Sequence, residues 1–247
     1  MFMEERKQQI LDILKKSKGA VSVKELCETL YASGATVRRD LADLEKNKLI
    51  RRTHGGAMLS DDSTEDPLIF REMNSYAQKQ TIAKMASGYV SDGMILFIDS
   101  STTSLAFAQT LHKFNNVKVI TNGLKTALLL SEYPNVKVFC TGGTLKDNYK
   151  SLVGVAAREF ISKYYADISF ISCRGFSTAI GATDSSEEEY YIKKQYMENS
   201  NKVILLCDTS KFDTNYMCKL GPVSMFNEII TENKAVNMEL AKLTKGI

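Results

Sequence analysis

The 247-residue sequence predicts an α/β protein, with an N-terminal winged helix-turn-helix followed by a C-terminal, mostly parallel α/β domain. Three observations carry this expectation. Residues 3–58 hold three helical periodicities, then a short alternating segment with a Gly-Gly pair. From residue 76 onward, apolar runs of about five residues alternate with helical stretches, as in a sheet covered on both faces. Net positive charge sits in the first segment alone: residues 1–58 hold 12 Lys/Arg against 8 Asp/Glu, whereas residues 59–247 hold 20 against 21.

Composition narrows the class further. At 44% hydrophobic and 25% charged residues, the chain is neither a fibre, a rod nor a mainly disordered polymer. Its longest apolar runs, 94–98 and 203–207, are five residues, far short of the roughly 20 that span a bilayer. The polar start MFMEERKQQI lacks the apolar stretch of a secretory leader, so a cytoplasmic protein is expected. The five cysteines (27, 140, 173, 207 and 218) are widely spaced, without a CxxC, and are expected to be small buried apolar residues in a reducing compartment. With only His54 and His112 to join them, no metal site and no cofactor is expected.

Taken in order, residues 4–16 place Ile10, Ile13 and Leu14 on one helical face. VKELCETL (23–30) predicts a second helix, with Ser22 as N-cap and Glu25 three residues on. Ser33 predicts the start of a third, in which Val37, Leu41 and Leu44 face inward and Thr36, Arg38, Arg39, Asp43 and Lys46 lie off that stripe. Two short helices joined by a turn, with Arg near the second one's start, describe a helix-turn-helix, whose recognition helix enters the major groove N-terminus first. Arg suits guanine edges and phosphates because its fork is bidentate. LIRRTHGGAM (49–58) then predicts a hairpin wing that sets Arg51 and Arg52 beside the DNA backbone. His54 is open to two readings, a phosphate contact or a turn residue. Taken alone, the basic charge also fits ordinary solvated helix faces.

Residues 59–75 are polar and acidic and read as a linker, with an extended piece near its end packing on the next domain. Strands are then expected at 94–98, 117–121, 136–140, 168–172, 203–207 and 228–231. Helices are expected near 77–90, 103–113, 123–132, 152–163, 186–200 and 233–243. Parallel sheets bind ligands beyond the carboxyl ends of their strands, so the residues just after each strand are informative. They are rich in hydroxyls, glycines and amides: Asp99, Ser100, Ser101, Thr102 and Thr103; Asn122 and Gly123; Thr141, Gly142, Gly143 and Thr144; Ser151 and Gly154; residues 181–184; and Asp208, Thr209, Ser210 and Lys211. Each alone is an ordinary cap or turn. Their coincidence at one sheet edge favours a small polar anionic ligand, with Lys211 to neutralise it. Arg174 is either a further anion partner or part of a structural salt bridge.

SGATVRRDLADLEKNKLIRRTHGGA (33–57) resembles the winged helix-turn-helix of DeoR-type bacterial transcriptional regulators, whose pattern runs S-x-x-T-[IV]-R-R-D-L-x-x-L-E and then R-x-H-G-G-A. The second half resembles the same family at DSSTT (99–103), ITN (120–122), GG (142–143), SLVG (151–154), EYYIK (189–193) and DTSKF (208–212). The resemblance implies a C-terminal fold like that of ribose-5-phosphate isomerase and CoA transferases. It also implies a repressor of a carbohydrate-metabolism operon that binds double-stranded DNA through Ser33, Thr36, Arg38, Arg39, Arg51, Arg52 and His54. A phosphorylated sugar or related metabolite is implied at Asp99, Thr102, Thr103, Asn122, Gly142, Gly143, Ser151, Glu189, Lys193 and Lys211, with Ser100 and Ser101 in the same loop. One departure stands out. Ser101 replaces the family glycine of D-x-G-T-T, so either the loop is strained there or the hydroxyl adds a ligand contact. A homo-oligomer, dimer or tetramer, is expected because such dimers read two half-sites. The alternative is a sugar-phosphate isomerase-like enzyme with an appended DNA-binding module. A wing has no use in isomerisation, so no enzyme activity is expected.

Overall fold

The computed structural model describes residues 3–17, 19–46, 49–53, 55–59, 68–147 and 149–246. They form two units, residues 1–74 and 75–247. The first begins with α1 (Met3–Ser17), β1 (Val21–Ser22), α2 (Val23–Leu30) and α3 (Gly34–Lys46). A hairpin follows, of β2 (Ile50–Thr53) and β3 (Gly56–Leu59), and β1 pairs with β3 to make a three-stranded sheet. The apolar stripes pack as their periodicity requires. Ile10, Leu11, Leu14, Leu26, Leu30, Val37, Leu41 and Leu44 make one core, closed by Ile50 and Ala57 of the hairpin. The expected linker contains a helix, α4 (Leu68–Met73), which packs on α1 where an extended piece was expected. Residues 60–67 lie outside the described residues.

The second unit opens with α5 (Tyr76–Ala86), β4 (Ile95–Ile98), α6 (Thr102–Ala108), β5 (Val117–Thr121), α7 (Leu124–Ser131) and β6 (Val136–Cys140). Next come a hairpin of β7 (Thr144–Lys146) and β8 (Ser151–Val153), then α8 (Val155–Ile161), β9 (Ala166–Ser172), β10 (Gly175–Ser177) and β11 (Gly181–Asp184). The chain ends with α9 (Glu187–Glu198), β12 (Ser200–Leu206), β13 (Cys218–Gly221), β14 (Glu228–Ile230) and α10 (Lys234–Leu240). Six strands form one parallel sheet in the order β14-β12-β9-β4-β5-β6. Both faces are covered, which explains the unbroken apolar runs. Leu96, Ile98, Phe170, Ile204 and Leu206 pack with Ile82 and Phe107 on one side. Phe97, Ile171 and Leu205 pack with Ala157, Ile192 and Tyr196 on the other.

The helix expected over 152–163 starts late, because residues 151–153 pair with 144–146 as a strand. A second small sheet, β10-β11-β13, was not expected. The cysteines divide: Cys173, Cys207 and Cys218 are buried as expected, whereas Cys140 is exposed and Cys27 half-buried. No helix among the described residues is long and apolar enough to cross a membrane.

Candidate functional sites in the two units

In the first unit, each helix of the expected helix-turn-helix is capped by the serine before it. Glu25 N–H donates to Ser22 Oγ at 3.1 Å and Thr36 N–H to Ser33 Oγ at 3.2 Å. The two hydroxyls of Ser33 and Thr36 also meet at 2.9 Å. Arg38 and Arg39 are exposed on α3, opposite buried Val37 and Leu41. Arg38 bends back over the first turn of its own helix: a Cβ built on Gly34 would stand 3.1 Å from its guanidinium. Charge also anchors α3 to α1. Asp40, 1% exposed, receives Arg6 through Nε at 2.5 Å and through the second guanidinium nitrogen at 3.1 Å, and Asp43 receives Lys7 at 2.7 Å. Sequence periodicity missed this clamp, since its partners lie 34 and 36 residues apart.

The wing depends on both glycines, for different reasons. Gly55 has φ +117°, a left-handed conformation that glycine adopts freely where the chain turns back from β2 into β3. At Gly56 a Cβ would stand 2.1 Å from the Val21 carbonyl oxygen, so only glycine lets β1 pair there. Arg51 and Arg52 are exposed on β2. Arg51 reaches Met58 Sδ at 3.5 Å, and the Arg52 N–H donates to Glu45 at 3.0 Å. His54 lies outside the described residues.

In the second unit, the chain leaves β4 in both directions, through β5 and β6 on one side and β9, β12 and β14 on the other. The switch point between β4 and β9 is where such a sheet opens a crevice. Asp99 stands there fully buried, accepting from Ser172 N–H at 2.9 Å and Ser101 N–H at 3.1 Å, so its carboxylate bridges the two strand ends. Across from it, α9 presents Glu189 and Lys193 on one face at i,i+4. Glu189 is a hub: it accepts from Ser100 Oγ at 3.0 Å, from Asn122 Nδ2 at 3.5 Å and, over a short contact, from Ser151 Oγ. Tyr196 of α9 donates to Asn122 Oδ1 at 3.4 Å. Lys193 lies 2.5 Å from Asp184 and 3.5 Å from Asp99. Lys211 is less enclosed, with 18% side-chain exposure against 6% for Lys193. It donates to Ser172 Oγ at 2.8 Å and Thr103 Oγ1 at 3.4 Å and pairs with Asp208 at 3.3 Å.

Burial and charge set the proton affinities. Burial pushes the Glu189 carboxyl up, and Lys193 with the Ser151 hydroxyl only partly counters it. Burial alone would lower Lys193, but Asp184, Asp99 and Glu189 hold its ammonium well above the ordinary lysine range. At Asp208 burial is likewise outweighed, and Lys211 with Ser210 holds the carboxyl below its usual value. Lys211 is raised in turn, its burial overcome by Asp208. Thr141, 2% exposed at the end of β6, has a hydroxyl with no hydrogen-bond partner among the described residues. The arrangement offers carboxylate and amide groups to hydroxyls, and one partly accessible ammonium with hydroxyl neighbours to an anion.

Of the residues named from sequence, Ser100, Asn122 and Ser151 gather on Glu189, Asp99 pairs with Lys193, and Thr103 and Lys211 are joined to Asp99 through Ser172. Thr102 is buried at the start of α6. Of the two readings of Ser101, strain is excluded. Its φ is −68°, so nothing is strained, and its hydroxyl caps α6 by accepting from Ser104 N–H at 3.1 Å. Gly143 has φ +123°, and a Cβ there would stand 2.4 Å from the Val153 carbonyl, whereas Gly142 faces open space. Asp184 stood among the polar loops of the sequence but outside the candidate set; its role follows from the ion pair with Lys193. Ser172 was missed although it ends a predicted strand. Lys146 was missed because no motif contains it: it donates to Ser186 at 2.6 Å and pairs with Glu188 at 3.0 Å, tying the β7–β8 hairpin to the start of α9. Arg174 has its backbone N–H bonded to Thr183 at 2.9 Å.

Comparison with known proteins gives two family matches. Residues 6–63 match the DeoR-like helix-turn-helix domain and residues 74–233 the DeoR C terminal sensor domain. The HTH-type transcriptional regulator GolR of Listeria innocua is 33% identical over 98% of this chain and 95% of its own length. The glycerol-3-phosphate regulon repressor of Escherichia coli is 32% identical over 94% and 92%. The HTH-type transcriptional repressor GlcR of Bacillus subtilis is 30% identical over 94% and 89%. These relatives are named as regulators, not enzymes. Among solved structures, ribose 5-phosphate isomerase A from Methanocaldococcus jannaschii matches 56% of this chain and 55% of its own at 18% identity and a TM-score of 0.43.

Proposed function

This chain belongs to the DeoR family of helix-turn-helix transcriptional regulators, and on that premise we propose that it represses a carbohydrate-metabolism operon under control of a phosphorylated metabolite. In this reading residues 3–58 form the DNA-binding domain, 59–75 the connection and 76–247 the effector domain. Ser33, Thr36, Arg38 and Arg39 meet the major groove and its phosphates, and Arg51, Arg52 and His54 meet the flanking backbone. The effector's hydroxyls bind at Asn122, Ser151 and Glu189, and its phosphate binds toward Thr103 and Lys211. Lys193 acts through Asp99 and Asp184, with which it pairs. The protein works as a homo-oligomer, dimer or tetramer, on paired half-sites inside the cell.

The observation that carries this reading is the convergence of polar side chains from the ends of β4, β5, β8 and β9 on Glu189, Asp99 and Lys211. Glycerol 3-phosphate, named in the regulon of one relative, belongs in the first panel of ligands. The test is a thermal-shift screen of the full chain against phosphorylated sugars and polyols, each beside its unphosphorylated parent. A shift that requires the phosphate and disappears in Lys211→Ala supports the reading; a shift that survives Lys211→Ala removes that lysine from the site. Arg38→Ala with Arg39→Ala should abolish operator binding while the effector-induced shift persists, and retained affinity would sink the assignment of α3.

A further inference from the structure

Tyr31 occupies the turn between α2 and α3, and two of its features oppose folding. Its backbone is left-handed, with φ 51° and ψ 41°, a conformation that bulky residues avoid and that Gly or Asn usually fills at a helix C-terminus. Its side chain is 97% exposed, so the ring buries almost nothing in return. The bonds that close the turn, from the Tyr31 and Ala32 N–H groups to the Cys27 carbonyl, use backbone alone, and a smaller residue would make them equally well. An outward-held aromatic ring in a disfavoured turn points to a contact outside the fold.

Its place identifies the partner. Two residues on is Ser33, the cap of α3, and the exposed face of α3 continues through Thr36 to Arg38 and Arg39. A helix that enters the major groove N-terminus first brings the turn before it to the groove's edge, where the sugar-phosphate backbone runs. The phenol ends in a neutral hydroxyl donor on a rigid arm, suited to a phosphate oxygen. We propose that Tyr31 is a DNA-positioning residue whose hydroxyl donates to a backbone phosphate beside the half-site, fixing how α3 enters the groove. The proposal rests on the DNA-binding reading of the first unit.

The full chain and its variants Tyr31→Phe and Tyr31→Asn are titrated onto a duplex that the wild-type protein selects from a randomised library, across a salt series. Tyr31→Phe keeps the wild-type Tm and binds about ten- to a hundredfold more weakly, the scale of a lost hydrogen bond to a charged acceptor. The slope of log affinity against log salt does not change, because a neutral donor releases no counterion. Tyr31→Asn binds as weakly and melts higher than wild type, since Asn tolerates the left-handed turn. Wild-type affinity in Tyr31→Phe overturns the proposal. So does a loss of affinity that follows a change in sedimentation, which places the ring between protein chains, and so does a Tyr31→Asn protein that melts below wild type. If the wild-type chain selects no duplex, the DNA-binding reading falls and Tyr31 with it.

Discussion

Replacing Lys193 with Met removes an ammonium that lies within ion-pair reach of both Asp184, at 2.5 Å, and Asp99, at 3.5 Å. Side-chain volume is nearly kept, so the effect is electrostatic. All three residues are buried: Lys193 is 5% exposed, Asp184 2% and Asp99 0%. Breaking a buried ion pair by removing one partner costs about 3–5 kcal/mol, because the remaining charge keeps its desolvation penalty without its counter-ion. For a unit of this size each kcal/mol lowers Tm by about 2–4 °C, which predicts a fall of roughly 6–20 °C in scanning calorimetry. The deficit depends on pH with a definite sign. Glu189 already has its carboxyl raised by burial, with Lys193 countering. Without Lys193 the carboxyl rises further. A raised carboxyl group contributes most below its unfolded value of 4.5 and loses that contribution as pH climbs through its folded value. The variant should therefore lie closest to wild type in mild acid and furthest from it at neutral pH. Adding Asp184→Asn should recover part of the loss, since one stranded charge is then gone. A Tm within about 2 °C of wild type at neutral pH, or a deficit equal at all pH values, would refute Lys193 as the counter-ion of this cluster.

Further outcomes can be checked the same way. Gly56→Ala forces a Cβ to within 2.1 Å of the Val21 carbonyl and must part β1 from β3; about 1–3 kcal/mol of destabilisation is expected, with weaker DNA binding as the wing shifts. An unchanged melting profile would show that the wing tolerates the displacement. Asp208 is held below its ordinary 3.8, despite burial, by Lys211 and Ser210. Its contribution is present above that value and lost as pH falls through the lower folded one, so Asp208→Asn should flatten the acid limb of the stability curve. An acid limb that stays as steep would assign the loss to other carboxylates.

Much of this was legible in the sequence because the determining forces are local. Ser22 and Ser33 cap the helices that follow them because a hydroxyl three residues before a free N–H needs no distant partner. The six parallel strands announced themselves because burial on both faces demands unbroken apolar runs. The strand-end rule then drew attention to Asp99, Asn122 and Lys211 without any knowledge of strand order. Local reading failed where pairing is between distant segments. Ser151–Val153 looked like the start of a helix until Thr144–Lys146 claimed it as a strand. The small β10-β11-β13 sheet consists of glycine-containing strands of three or four residues, too short to give a periodic signal.

Sequence by itself determined the two-part organisation, the helix-turn-helix and its wing, the parallel sheet and most of the residues at its carboxyl edge. Tertiary structure alone decided how those residues divide their work. It set Lys193 against Asp184 and Asp99, gathered Ser100, Asn122 and Ser151 on Glu189, left Lys211 the more accessible cation, and turned Ser101 into a cap. Periodicity encodes which face of an element is buried, because that depends on neighbours three or four residues away. Charge pairing depends on which strand ends meet across the sheet, and those ends lie tens of residues apart in the chain.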